Sequence, residues 1–229
     1  MHFPSISGII CCAVVSKNER EVSKHLTPQR IVEAEQFVDT LSRLVSGTKL
    51  ATNDRNRTSA AAAAALFGIA QDHHHAIVFL LKHTFYSSST ALLRSVFEAY
   101  LRGLWLKHCA SDADFQKFMN GKPKENRIMI AAIEALPEFG EGAFSSIKTY
   151  AWGPMCDFAH TGALHLQRWQ SQNGIEQNFD SEEIEKFLNY SELFAVMSGL
   201  EVAQMSEDAN IVESVFELIV KRWPPQPEV

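Results

Sequence analysis

Cysteine is scarce in this chain of 229 residues. There are four, Cys11, Cys12, Cys109 and Cys156, and no two stand in a C-x-x-C spacing. Two of them are adjacent, so they cannot staple distant loops in the usual way. Without a C-x-x-C pair a structural zinc site is disfavoured. Buried, reduced thiols in a cytosolic protein are the expectation. Positive charge is also in short supply. The 21 Lys and Arg against 27 Asp and Glu leave a net charge of −6 and a pI near 5.8. That balance argues against a general nucleic-acid coat and leaves room for a local basic patch. No long uncharged apolar run exists either. The stretch from Ile6 to Val15 is too short to span a bilayer. It lacks the basic leader of a signal peptide, and Ile10 stands before Cys11 where a lipoprotein signal needs a small residue. Residues 1–27 therefore read as an N-terminal extension, and the expectation is a cytoplasmic protein with no membrane attachment. Strand-like alternation, internal repeats and low-complexity tracts are missing too. So are the nucleophile elbow, the phosphate loop and the dinucleotide fingerprint.

What is present is helical. With 46% apolar and 21% charged residues the chain can bury a sizeable core. Thr27-Pro28 is a cap followed by a first-turn proline. Ile31, Ala34, Phe37, Val38, Leu41, Leu44 and Val45 then recur at helical spacing until Gly47. After a polar stretch over 48–57, a second helix is expected from Thr58 to about His83. Its alanines, Ala60 to Ala65, would let a neighbouring helix come close. One of Ser87, Ser88 and Ser89 should cap a third helix reaching Cys109. Shorter helices follow over 112–119 and 125–136, with Ser111 as a cap and Gly121-Lys122-Pro123 and Pro137 as breaks. A segment from Ala143 to Trp152 is expected to kink or restart at Gly153-Pro154 and to continue through His160 to Trp169. Asp180 opens a long helix to Met205, and a last one runs from Ala209 to Trp223. The reading is an all-α up-and-down bundle of seven or eight helices. It forms one domain over 28–223, followed by a Pro-rich tail over 224–229.

Three groups of residues could carry chemistry. Arg94, Glu98 and Arg102 stand at i, i+4 and i+8 on the third helix. They share about 80° of a wheel that is otherwise almost entirely apolar. Such a stripe is either an exposed ladder of ion pairs or a charge cluster lining a cleft. In a cleft Glu98 would pair both arginines and leave one net positive charge for an acidic ligand. Asp157 and His160 stand at i, i+3, where a carboxylate could fix an imidazole tautomer. The bland alternative is a hydrogen-bonded core histidine. Gly162, taken as helical, suggests close approach of another backbone. Finally, His73, His74, His75 and His83 are expected to be solvated or capping. Three successive histidines on a helix point apart, and a metal held by His75, Asp157 and His160 is a remote alternative. No metal and no cofactor are expected.

The stretch LLRSVFEAYLRGLWL, with FAHTG some fifty residues later, resembles a group of uncharacterised bacterial helical proteins. These are similar in turn to the HEPN (higher eukaryotes and prokaryotes nucleotide-binding) superfamily. The resemblance covers roughly residues 30–205. It implies a helical bundle, often a homodimer. Many members are ribonucleases of toxin–antitoxin or phage-defence systems, marked by Arg, four to six residues, then His. Ahead of His160 those offsets hold Gly153, Pro154 and Met155. Arg20–His25 and Arg102–His108 fit the spacing, about as many pairs as chance supplies. The resulting expectation is a pocket of Arg94, Glu98, Arg102, Asp157 and His160 that binds a phosphate-containing ligand or RNA. If it is catalytic, His160 would move a proton and an arginine would take developing phosphate charge. The alternative is a non-enzymatic dimerising protein in which the same charges are structural.

Overall fold

The computed structural model describes residues 27–50, 57–140 and 142–223, with only the backbone of Arg57 and Thr58. The first cysteine pair and the Arg20–His25 spacing lie outside these residues. Helix α1 spans Pro28–Val45, and its Thr27 hydroxyl accepts the Arg30 amide at 3.1 Å. Its buried residues are Ala34, Phe37, Val38 and Leu41, the stripe expected from the spacing. Helix α2, Arg57–Lys82, and helix α3, Tyr86–His108, form a tight antiparallel pair joined by three residues. That brevity overturns the serine cap. The Phe85 amide bonds back to the Leu80 carbonyl at 2.9 Å, and α3 starts at once. Phe85, the N-cap, makes no side-chain cap bond. The serines already lie within the helix, where Ser89 donates to the Tyr86 carbonyl at 2.7 Å.

The helices that follow are shorter and more numerous than expected. They are α4 (Asp112–Met119), α5 (Asn126–Glu134), α6 (Ala143–Tyr150), α7 (Trp152–Ala159) and α8 (Ala163–Gln167). A 3-10 turn, Pro137–Phe139, separates α5 from α6. Two long elements close the chain, α9 (Ser181–Gln204) and α10 (Ala209–Arg222). The described residues thus hold ten α-helices instead of seven or eight, and no strand beyond isolated bridges. Pro154 explains part of the excess. It has no amide to donate to the Tyr150 carbonyl, so α6 cannot run on into α7. The expected passage through His160 also fails. Helix α7 ends at Ala159, Thr161 takes a left-handed φ of +54°, and α8 restarts at Ala163.

Helix α3 is the centre of the molecule. Helices α2, α5, α7 and α9 pack around it, and α1 and α10 pack on α9. Closeness to α2 rests on Gly103, where a Cβ would lie 2.5 Å from the Phe67 ring. An aromatic cluster fills the middle. Phe97 meets Phe194 at 5.3 Å, and Tyr100 meets Phe67, Phe144 and Phe194 at 6.1, 6.1 and 5.9 Å. Burying each such ring contributes about 1.5–3 kcal/mol. Phe97 faces Phe194, and Lys107, further along α3, faces Glu201, further along α9. The two central helices therefore run in the same direction, and the five short helices carry the chain back between them.

Candidate functional site

The charged stripe of α3 points toward α7 and its exit turn. Glu98 sits between the two arginines. Arg94 Nε donates to its Oε1 at 2.9 Å, and Arg102 donates to its Oε2 at 2.6 Å. The stripe is half-buried: the side chains of Arg94, Glu98 and Arg102 are 24, 14 and 32% exposed. One arc of α3 is thus left uncovered by the packing that buries Leu93, Phe97 and Leu101 on the others. His160 arrives from the end of α7, and its Nε2 accepts a hydrogen bond from Arg94. A guanidinium only donates, so the imidazole proton in this arrangement is on Nδ1.

Two further residues belong here that the sequence reading missed. The Arg94 guanidinium lies 4.8 Å from the centre of the Trp152 ring, and Lys148 Nζ lies 5.8 Å from it. The i, i+4 spacing of Lys148 and Trp152 was the signal available. The Arg102 Nε is buried with no hydrogen-bond partner among the described residues.

Asp157 does not pair with His160. Its Oδ2 accepts the Leu164 amide at 3.1 Å, and its Oδ1 lies 2.5 Å from where a Gly162 Cβ would be. Gly162 is not helical. It precedes α8, and what approaches it is the Asp157 side chain. The other histidines scatter. His75 pairs with Asp39 at 3.3 Å. His74 is not solvated but fully buried, with Nδ1 2.9 Å from Ser191 Oγ. Ser191 Oγ spends its own proton on the Leu188 carbonyl, so His74 Nδ1 is the donor. Burial pushes the His74 pKa down to about 4. Among the described residues no group of three or more His, Cys, Asp or Glu could hold a metal ion. No described helix is long and apolar enough to cross a membrane. Cys109 and Cys156 are free, and burial raises the Cys109 thiol pKa.

Two buried charge networks stand apart from this cluster. Arg30 bridges Glu185 at 3.0 Å and Glu192 at 2.8 Å, and Arg222 reaches Glu192 at 3.1 Å. Burial works to lower the Arg30 pKa, but Glu192 and Glu185 outweigh it and hold it raised. Lys107 and His108 both meet Glu201, at 2.6 and 3.4 Å. Burial pushes that carboxyl upward, yet His108 and Lys107 hold it below its ordinary value. Arg102 and His108 thus serve different carboxylates, on different sides of α3.

Fold and cluster together define an all-helical domain with a half-exposed arginine–glutamate stripe on its central helix. The chain belongs to a family of unknown function, DUF6988, whose model matches residues 67–222. That span includes every residue of the cluster and leaves α1, with Arg30, outside it. No curated protein and no solved structure matches the chain.

Proposed function

We propose that the cluster around Glu98 binds the phosphate group of an anionic ligand, a nucleotide or RNA. The observation that carries this reading is the charge count. Arg94 and Arg102 share one carboxylate, Lys148 shares Trp152 with Arg94, and His160 stands beside them. Positive charge is left over at a half-exposed surface of an otherwise acidic chain. Glu98 holds both guanidinium groups in place, and a guanidinium fork matches phosphate oxygens. The Trp152 ring sets a flat apolar surface beside the charges. The resemblance adds its own expectations to this reading: a HEPN-like, cytoplasmic, bacterial homodimer with a toxin or phage-defence role.

Calorimetric titration with inorganic phosphate and with a 5′-mononucleotide tests the proposal. Arg94→Ala and Arg102→Ala should each weaken binding roughly tenfold, as expected for a lost charged hydrogen bond. His160→Ala should weaken it while leaving the melting temperature nearly unchanged. Full pairing of both Glu98 oxygens favours a second reading, a non-enzymatic interaction protein with structural charges. That reading wins if neither probe binds and His160→Ala costs several kcal/mol of stability.

A further inference from the structure

The turn that presents His160 is built in an unusual way. Helix α7 ends in a Schellman-type closure, with His160 as its C-cap. The Gly162 amide donates to the Asp157 carbonyl at 2.7 Å, the six-residue bond of that motif. The residue in the left-handed position is normally glycine. Here it is Thr161, at φ +54°, and the glycine comes one residue later. A β-branched residue in that region is strained by about 1–2 kcal/mol. Something must hold the turn against that strain. Gly162 has the extended backbone of an N-cap, φ −70° and ψ −175°, but no side chain to cap α8. Asp157 supplies the missing cap from the preceding helix, through its Oδ2 and the Leu164 amide at 3.1 Å. Its Oδ1 fills the space a Gly162 side chain would need. One residue therefore fastens the turn twice, by its carbonyl to Gly162 and by its carboxylate to Leu164. His160 lies between the two fastenings, facing Arg94.

We infer that Asp157 is a positioning residue for His160, acting through the turn and not through the ligand. For its ligand-binding readout the inference rests on the phosphate-site reading above. The decisive feature is the sign of one effect. If Asp157 acted only by its charge, removing that charge beside a phosphate site would tighten phosphate binding. Positioning gives the reverse for alanine and not for asparagine. Asp157→Asn keeps an oxygen that can accept the Leu164 amide, so phosphate should bind as tightly as in the native chain or more so. Asp157→Ala removes the acceptor, and binding should weaken about fivefold, the scale of a lost helix cap. A second readout needs no ligand. The His160 imidazole resonances of Asp157→Ala should move toward those of Arg94→Ala, while Asp157→Asn keeps the native positions. Both substitutions are then repeated in a Thr161→Gly background, where the left-handed residue is unstrained. There Asp157→Ala should fold and shift His160 less. Phosphate binding by Asp157→Ala equal to or tighter than native overturns the inference. So do His160 resonances that stay in place when Asp157 becomes alanine. If the native protein binds no phosphate, the site reading fails while the resonance comparison still decides the role of Asp157.

Discussion

The molecule holds a carboxylate between two arginines twice, and the two arrangements differ in every respect but their chemistry. Glu98 and both its arginines come from α3 alone. Glu192 comes from α9, Arg30 from α1 and Arg222 from α10, so that network ties three helices together. The Glu192 side chain is wholly buried, and Glu185 on Arg30 and Glu33 on Arg222 bring the network to two positive and three negative charges. The Glu98 stripe is open and has more positive charge than negative. A network with no surplus positive charge, closed around a buried carboxylate, belongs to stability. The Glu98 pairs join residues of one helix, with Arg94 alone reaching across to His160 and Trp152, and the surplus positive charge stays at the surface. It is therefore the Glu98 stripe, and not the better-connected network, that is suited to a ligand.

The sharpest way to break this comparison is to remove each carboxylate. Glu192→Ala should take from Arg30 and Arg222 the buried carboxylate they share and cost about 3–5 kcal/mol in urea unfolding. That is a large share of the 5–15 kcal/mol typical of a domain. A next effect comes from pH. His74 has an ordinary pKa of about 6.5 in the unfolded chain and about 4 when folded. The unfolded state binds the proton more readily, so stability falls as pH drops from 6.5 through 4. The loss should be on the order of 3 kcal/mol, because one pKa unit is about 1.4 kcal/mol. Comparing the pH profiles of the native chain and His74→Gln isolates this contribution from the carboxylates that titrate in the same window. The smallest effect should come from Glu98→Ala. Each pair of an i, i+4 ladder contributes about 0.2–0.5 kcal/mol, so the loss should stay below about 1 kcal/mol. A loss from Glu98→Ala matching that from Glu192→Ala would erase the distinction drawn here.

The sequence made some of this legible and hid the rest for physical reasons. The apolar stripe of α1 and the long α2, α3 and α9 follow from local periodicity, which is a property of neighbouring residues. The Arg94–Glu98–Arg102 pairing is equally local and could be read from its spacing. Positions of contact between distant elements could not. Arg30 and Glu192 lie 162 residues apart, and nothing nearby in the chain marks them as partners. His74 sits in a run of three histidines that looks solvated, yet the packing of α2 on α9 buries that one alone of the three. The turn at His160 looks like helix in the sequence because Thr161 does not advertise a left-handed backbone. Its helix break comes from the Asp157 fastening, and an aspartate ahead of a histidine suggests a catalytic couple before it suggests a cap.

The contact between Gly103 and Phe67 has a consequence for how this family can vary. The two positions share one volume, because the ring occupies the space a side chain at 103 would take, and both are buried. Neither can drift alone. A lineage that gains alanine at 103 must first shrink the residue at 67, and one that keeps phenylalanine is held to glycine. Both positions fall within the matched span, so related chains should change them as a pair. The spacing of the two helices at the heart of the molecule is thus written as a size correlation between two residues.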